Sequence, residues 1–218
     1  MGRNLDPLHY LSRSLELDPC HIEAACLRSK LLIDSGKAEL AIEFLKSFLT
    51  KSNQHSQLHN FLALAYLNSG QVDAADIAIS EALAINPRSM DALYTASQIR
   101  KAKGDKFSAY YYLERIMRNG EHSSEILWEM SSLIDDKTER KKKINLLEIA
   151  LSLNSNDAKI FGELMITYSK LFDESLPPNE LFNIQKTLIE HTNNLCFQNL
   201  PDNLKLKIYN FSKLKHPM

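Results

Sequence analysis

Residues 56–89 read SQLHNFLALAYLNSGQVDAADIAISEALAINPRS, and the fold follows from this stretch. Leu58, Phe61, Leu62, Ala65 and Tyr66 recur at three- and four-residue steps, which puts apolar groups on one face of a helix over 56–68. Ser69-Gly70 then breaks the pattern, because glycine allows a turn with positive φ. Val72, Ala75, Ile79, Ala82 and Leu83 set a second helix over about 72–85. Pro87 stands just beyond it, where the helix cannot continue. Ala75 and Ala82 are small enough to let two antiparallel helices approach closely.

Outward from this stretch, the unit recurs. Gly36, Gly70 and Gly104 are spaced by 34 residues, and Ala41, Ala75 and Ala109 keep the same step. So do Leu45, Ile79, Leu113 and Leu147, and the column Ser14, Phe48, Ala82, Ile116, Ala150 holds register for five copies. That many columns in step define an internal repeat, and a repeat of this period is one supersecondary unit that buries its apolar face against its neighbours.

The 34-residue helix–turn–helix unit resembles the tetratricopeptide repeat, with Leu62-Ala63, Tyr66, Gly70, Ala75, Ala82 and Pro87 filling the family's columns. The resemblance implies an all-α chain, a right-handed α-solenoid of antiparallel helix pairs with C-terminal capping helices. A half repeat is expected at 6–21, with Asp6 as N-cap and Pro7 at the first helical position. Repeats follow at about 22–55, 56–89, 90–123 and, more weakly, 124–157, then a further first helix at 158–171. The start in mid-repeat fits either an unusual cap or excision from a longer protein. Arg28 and Arg100 depart from the family pattern, standing where an apolar residue is usual. In the fourth unit Thr138 fills the glycine column and Lys143 the small-residue column, so a longer turn or a rotated helix is expected there. Beyond Phe172 the register fails. Helices expected at about 179–195 and 202–214, within a capping segment 179–214, would cover the apolar end of the stack.

Composition excludes several classes. With 26 Lys+Arg against 27 Asp+Glu, the balance argues against a general nucleic-acid binder. No apolar run approaches the length of a membrane helix, and the N-terminus has no apolar signal core, so no membrane partner is expected and a cytoplasmic setting is the simplest reading. Cys20, Cys26 and Cys196 form no C-x-x-C pair and point to a reducing compartment. His55 and His59 lie four apart but lack a third ligand, so no metal and no cofactor is expected. Neither a nucleophile elbow nor a phosphate-binding glycine loop is present, and the chain reads as no enzyme, with no catalytic residue. Lys141, Lys142 and Lys143 form the densest basic run, read as a solvated helix start balanced by Asp135, Asp136 and Glu139.

The resemblance further implies a concave groove lined by the first helix of each repeat. By that geometry the groove residues are Asn60, Phe61, Leu64 and Asn68 on one helix, Tyr94, Gln98 and Lys101 on the next, and Trp128 on a third. Aromatic rings are favoured anchors, and the amides can pair with a ligand backbone in both directions. The cationic set of the co-chaperone carboxylate clamp is absent from the corresponding positions. The expected function is a non-enzymatic interaction scaffold that binds a peptide or short helix of a protein partner. Three rival expectations are the non-catalytic region of a larger enzyme such as a glycosyltransferase, a secretion or pilus-assembly chaperone, and self-association through exposed solenoid ends.

Overall fold

A computed structural model describes residues 7–51, 54–135, 138–171, 186, 195–198, 200 and 202–212. The chain is all-α, with no strand among these residues. It falls into two compact units, Met1–Glu121 and His122–Met218.

The first unit runs α1 (Pro7–Leu17), α2 (Ile22–Asp34), α3 (Ala38–Leu49), α4 (Ser56–Asn68), α5 (Val72–Ile85), α6 (Met90–Ala102) and α7 (Lys106–Arg118). Pro7 opens α1, while Asp6 lies outside the described residues. The first helices α2, α4 and α6 begin at 22, 56 and 90, one 34-residue step apart. They pack side by side in one layer. Of the second helices, α3 and α5 pack on the first helices before and after them, and α7 packs on α6.

Each turn between a first and second helix is three residues long and local in origin. Gly70 has φ 79°, its N–H donates to the Leu67 carbonyl at 3.1 Å, and the Gln71 N–H donates to the Tyr66 carbonyl at 2.9 Å. Those bonds satisfy carbonyls that a helix end would otherwise leave open. Gly36 and Gly104 repeat the device. Because the turn is tight, the helices must cross closely, and Ala41, Ala75 and Ala109 are fully buried at that crossing. Leu45, Leu58, Leu93, Ile99 and Leu113 fill the space between the layers and are also buried, each worth about 1.5–3 kcal/mol of transfer free energy.

The two arginines that depart from the apolar pattern have found partners. The Arg28 guanidinium lies 4.4 Å from the centroid of the Phe44 ring. Arg100 donates to Asp76 Oδ1 at 2.7 Å, and Lys103 reaches Asp76 Oδ2 at 2.7 Å and Asp73 Oδ1 at 3.0 Å, so α6 is tied to the preceding α5 by charge. These carboxylates hold the Lys103 ammonium above its ordinary value, chiefly through its hydrogen bonds to Asp76 and Asp73.

The second unit comprises α8 (Ser124–Leu133), α9 (Arg140–Leu153), α10 (Ala158–Leu171), α11 (Leu195–Gln198) and α12 (Asp202–Ser212). Helix α9 packs between α8 and α10, and α10 receives α11 and α12, with Ile208 of α12 fully buried. Six residues, 134–139, separate α8 from α9 where the first unit uses three. The basic run departs from expectation at its last residue. Lys143 is not on a solvated helix start: it is only 7% exposed, and its ammonium pairs with Glu163 Oε1 at 2.6 Å. Most of the helix expected at 179–195 lies outside the described residues.

Candidate functional site

Helix periodicity decides which residues of the first-helix layer can meet a ligand. On α2 the outward stripe is Glu23, Leu27, Lys30 and Asp34, all exposed. One repeat later the same stripe holds Gln57, Phe61, Leu64 and Asn68, and on α6 it holds Asp91, Thr95, Gln98 and Ala102. Leu27, Phe61 and Leu64 are the apolar members of this stripe on the adjoining helices α2 and α4, and Lys30, Asn68 and Gln98 are polar members of it.

The expected groove residues divide within this frame. Asn68 and Lys101 are exposed, Leu64 and Gln98 are half-buried, and Tyr94 is 38% exposed on the flank of the α6 stripe. Phe61 is half-buried and packs against the core between the layers, so its ring serves the fold as well as the face. Asn60 is only 4% exposed, and its Oδ1 is buried with no hydrogen-bond partner among the described residues. It occupies the same column as buried Cys26, one position inward from the Leu27–Phe61 column. Thr95 is buried as well, its hydroxyl donating to the Asp91 carbonyl at 2.9 Å, which satisfies the group within its own helix.

Trp128 belongs to the second unit. It lies half-buried on α8, and the Lys159 ammonium sits 3.6 Å from its ring centroid. That is a close cation–π contact, so a face of the indole is already occupied. On the α9–α10 side, Tyr168 of α10 hydrogen-bonds to Glu148 of α9.

Burial, with Glu23 adding its charge, pushes the Cys26 thiol up to about 11, which makes it a poor nucleophile. No group of three or more His, Cys, Asp or Glu side chains suited to a metal occurs among the described residues, and no described helix is long and apolar enough to cross a membrane.

Sequence reasoning missed a second feature, on the opposite layer. Ile77 of α5 and Phe107 and Tyr111 of α7 stand well out into solvent. A signal for them was present. The repeat column 39, 73, 107, 141 holds Glu, Asp, Phe and Lys, so a charged and therefore solvated column carries a phenylalanine in one copy.

Residues 32–97 match the tetratricopeptide repeat family model. No curated protein matches the chain. Among solved structures, MamA aligns with a TM-score of 0.60 at 22% identity, covering 70% of this chain and 89% of that one. TTC0263, a thermophilic TPR protein in Thermus thermophilus, aligns at 0.62 and 17% identity over 73% of this chain and 88% of its own. YrrB, a TPR protein with an unusual peptide-binding site, aligns at 0.64 and 14% identity over 94% and 98%. Residues 32–97 are thus tetratricopeptide repeat sequence, and the chain has the fold of these structures.

Proposed function

We propose that the first unit is a non-enzymatic interaction scaffold that binds an extended peptide or short helix of a protein partner across α2, α4 and α6. The observation that carries this reading is the set of apolar residues Leu27, Phe61 and Leu64 on the outward stripe of the adjoining helices α2 and α4, with Tyr94 and the amide and ammonium groups on the same layer. An apolar side chain of the ligand would be seated on these apolar residues, and Asn68, Gln98 and Lys101 would meet its backbone or polar groups. Asn60 takes no direct part, since its amide lies beneath the surface. Trp128 is left out because Lys159 already covers its ring. Similarity of fold to YrrB, whose structure has a peptide-binding site, supports the reading.

The test is affinity capture with the wild-type chain and with a folded Leu27→Ser/Tyr94→Ala variant, followed by titration of whatever partner segment is retained. Both positions are exposed, so the variant keeps the core, which Phe61→Ala would not. Loss of about 1–3 kcal/mol of binding free energy is expected if these side chains are anchors. Equal capture by both chains would remove this face from consideration.

A further inference from the structure

Asn119 is the only asparagine of the sequence that is followed by glycine. The pair ends α7. Asn119 is the C-cap, and Gly120 follows at φ 96°, in the left-handed region that favours glycine. Both residues are exposed, and a Cβ placed on Gly120 would meet nothing within 4 Å. Water and base therefore have open access to the Asn119 carboxamide and to the Gly120 amide nitrogen.

What an asparagine can do depends on the next residue, because the nitrogen able to attack the carboxamide belongs to it. A side chain on that residue crowds the approach, and glycine has none. Asn86 is followed by Pro87, which has no N–H to lose, and Asn68 and Asn154 are followed by serine. Asn60 and Asn145 lie inside α4 and α9, where the next amide is held in the helical ladder. The Gly120 amide instead makes a bond of the last turn, donating to the Met117 carbonyl at 3.0 Å. Ring closure needs that bond to open and the Asn119 backbone to rotate away from ψ 1°, and helix ends open at little cost. The side chains at this end also have a structural task. Asn119 Nδ2 donates to the Arg88 carbonyl at 3.5 Å and Arg115 to the Pro87 carbonyl at 2.7 Å, so both tie the end of α7 to the turn between α5 and α6.

We propose that Asn119 is a site of spontaneous deamidation. The Gly120 nitrogen gives up its proton to base and attacks Cγ of Asn119. The N–Cγ bond forms, the Cγ–Nδ2 bond breaks, and Nδ2 takes up a proton and leaves as ammonia, so that a succinimide ring joins the two residues. Water then opens the ring. Cleavage at Cγ gives aspartate, and cleavage at the main-chain carbonyl gives isoaspartate, which lengthens the backbone by one methylene. Either product replaces the Nδ2 donor with a carboxylate, which cannot donate to the Arg88 carbonyl and stands at the helix end where the macrodipole disfavours negative charge. The arginines of the same turn are already engaged, Arg115 with Pro87 and Arg118 with Glu114 at 3.1 Å. Deamidation thus loosens the end of α7 from the turn that it is tied to.

The test is incubation of the full chain at body temperature in neutral and in mildly alkaline buffer, with peptide mapping of samples taken over weeks. The peptide that begins at Asn119 should gain one mass unit before any other asparagine reacts, and faster in the alkaline buffer. Isoaspartate in the product should make part of it resist a protease that cleaves before aspartate. Since only the opening of a helix end limits the reaction, the folded chain should react within about tenfold of the rate of the chain unfolded in urea. Asn119→Gln should stop the gain in this peptide, and Asn119→Asp, one of the two products, should melt below the wild type. A folded chain that leaves Asn119 intact while the unfolded chain reacts overturns the proposal, as does earlier reaction at another asparagine. Equal melting of Asn119→Asp and the wild type would overturn the loosening of α7.

Discussion

The α4–α5 and α8–α9 pairs occupy corresponding positions of one 34-residue register, yet they close their helix crossings differently. In the first, Gly70 at φ 79° makes a three-residue turn, and fully buried Ala75 lets the backbones approach. In the second, Thr138 and Lys143 stand in those columns, six residues join the helices, and the lysine is buried against Glu163 of α10. The first solution is contained within one helix pair. The second draws a carboxylate from the following helix, so the α8–α9 crossing leans on α10, whereas the α4–α5 crossing is closed by its own alanine. A repeat can therefore lose its signature residues and keep its register, provided a neighbour supplies the missing complement.

Core columns should behave alike in both regions, and they give the largest expected effect. Leu113→Ala and Leu147→Ala, both at buried positions of the same column, should each destabilise by about 2–5 kcal/mol in denaturant titrations of the full chain. A much smaller loss at Leu147 would mean that the second region is loosely packed and that the shared register is only nominal there.

The crossings should differ, and here the effects are intermediate. Ala75→Leu should overpack α4 against α5 and cost about 1–3 kcal/mol. Glu163→Ala should cost a similar amount by removing the carboxylate that faces the buried Lys143 ammonium. The figure is set below the roughly 3–5 kcal/mol of a fully enclosed pair because the Glu163 side chain is 36% exposed. If Glu163→Ala proves neutral in thermal melts, the crossing of α8 and α9 does not lean on α10.

Smaller still is the turn itself. At Gly70 a Cβ would meet nothing within 4 Å, so Gly70→Ala tests backbone conformation alone and should cost about 1–2 kcal/mol. Thr138→Gly, in a longer connection, should bring no comparable gain, and a clear gain would show that the six-residue link is strained.

The smallest expected effect is chemical rather than thermodynamic. Cys20 is exposed and should react with iodoacetamide at about pH 8, whereas Cys26 should stay protected in the folded chain. Burial raises the Cys26 thiol from its ordinary 9.0 to about 11, so the folded state holds its proton through the window in which the unfolded chain releases it. Stability from this group is complete below pH 9 and falls between pH 9 and 11, with peptide mapping of the alkylated protein as the readout. Rapid labelling of Cys26 at neutral pH would mean that α2 opens locally.

Helix positions were legible because they depend on nearby residues. The limits 56–68 and 72–85 follow from apolar spacing, one glycine and one proline, and α4 and α5 span those residues. The candidate site was legible only in part. The family resemblance put Leu64, Asn68, Gln98 and Asn60 alike on the face expected to meet a ligand, but Asn60 is buried, on a helix that α2 and α6 flank on both sides. A residue's own helix cannot reveal that. The same limit applied to Lys143, whose partner lies 20 residues away on another helix.

By itself the sequence determined the all-α repeat, its period, the turn chemistry and the identity of the small-residue crossing. These are properties of spacing and backbone freedom, settled within a few residues. Only the tertiary structure decided which first-helix groups are left to meet a ligand, which charges are consumed in holding repeats together, and that Phe107 and Tyr111 face outward. Exposure and pairing are set by what packs alongside, and that information lies one full repeat away along the chain.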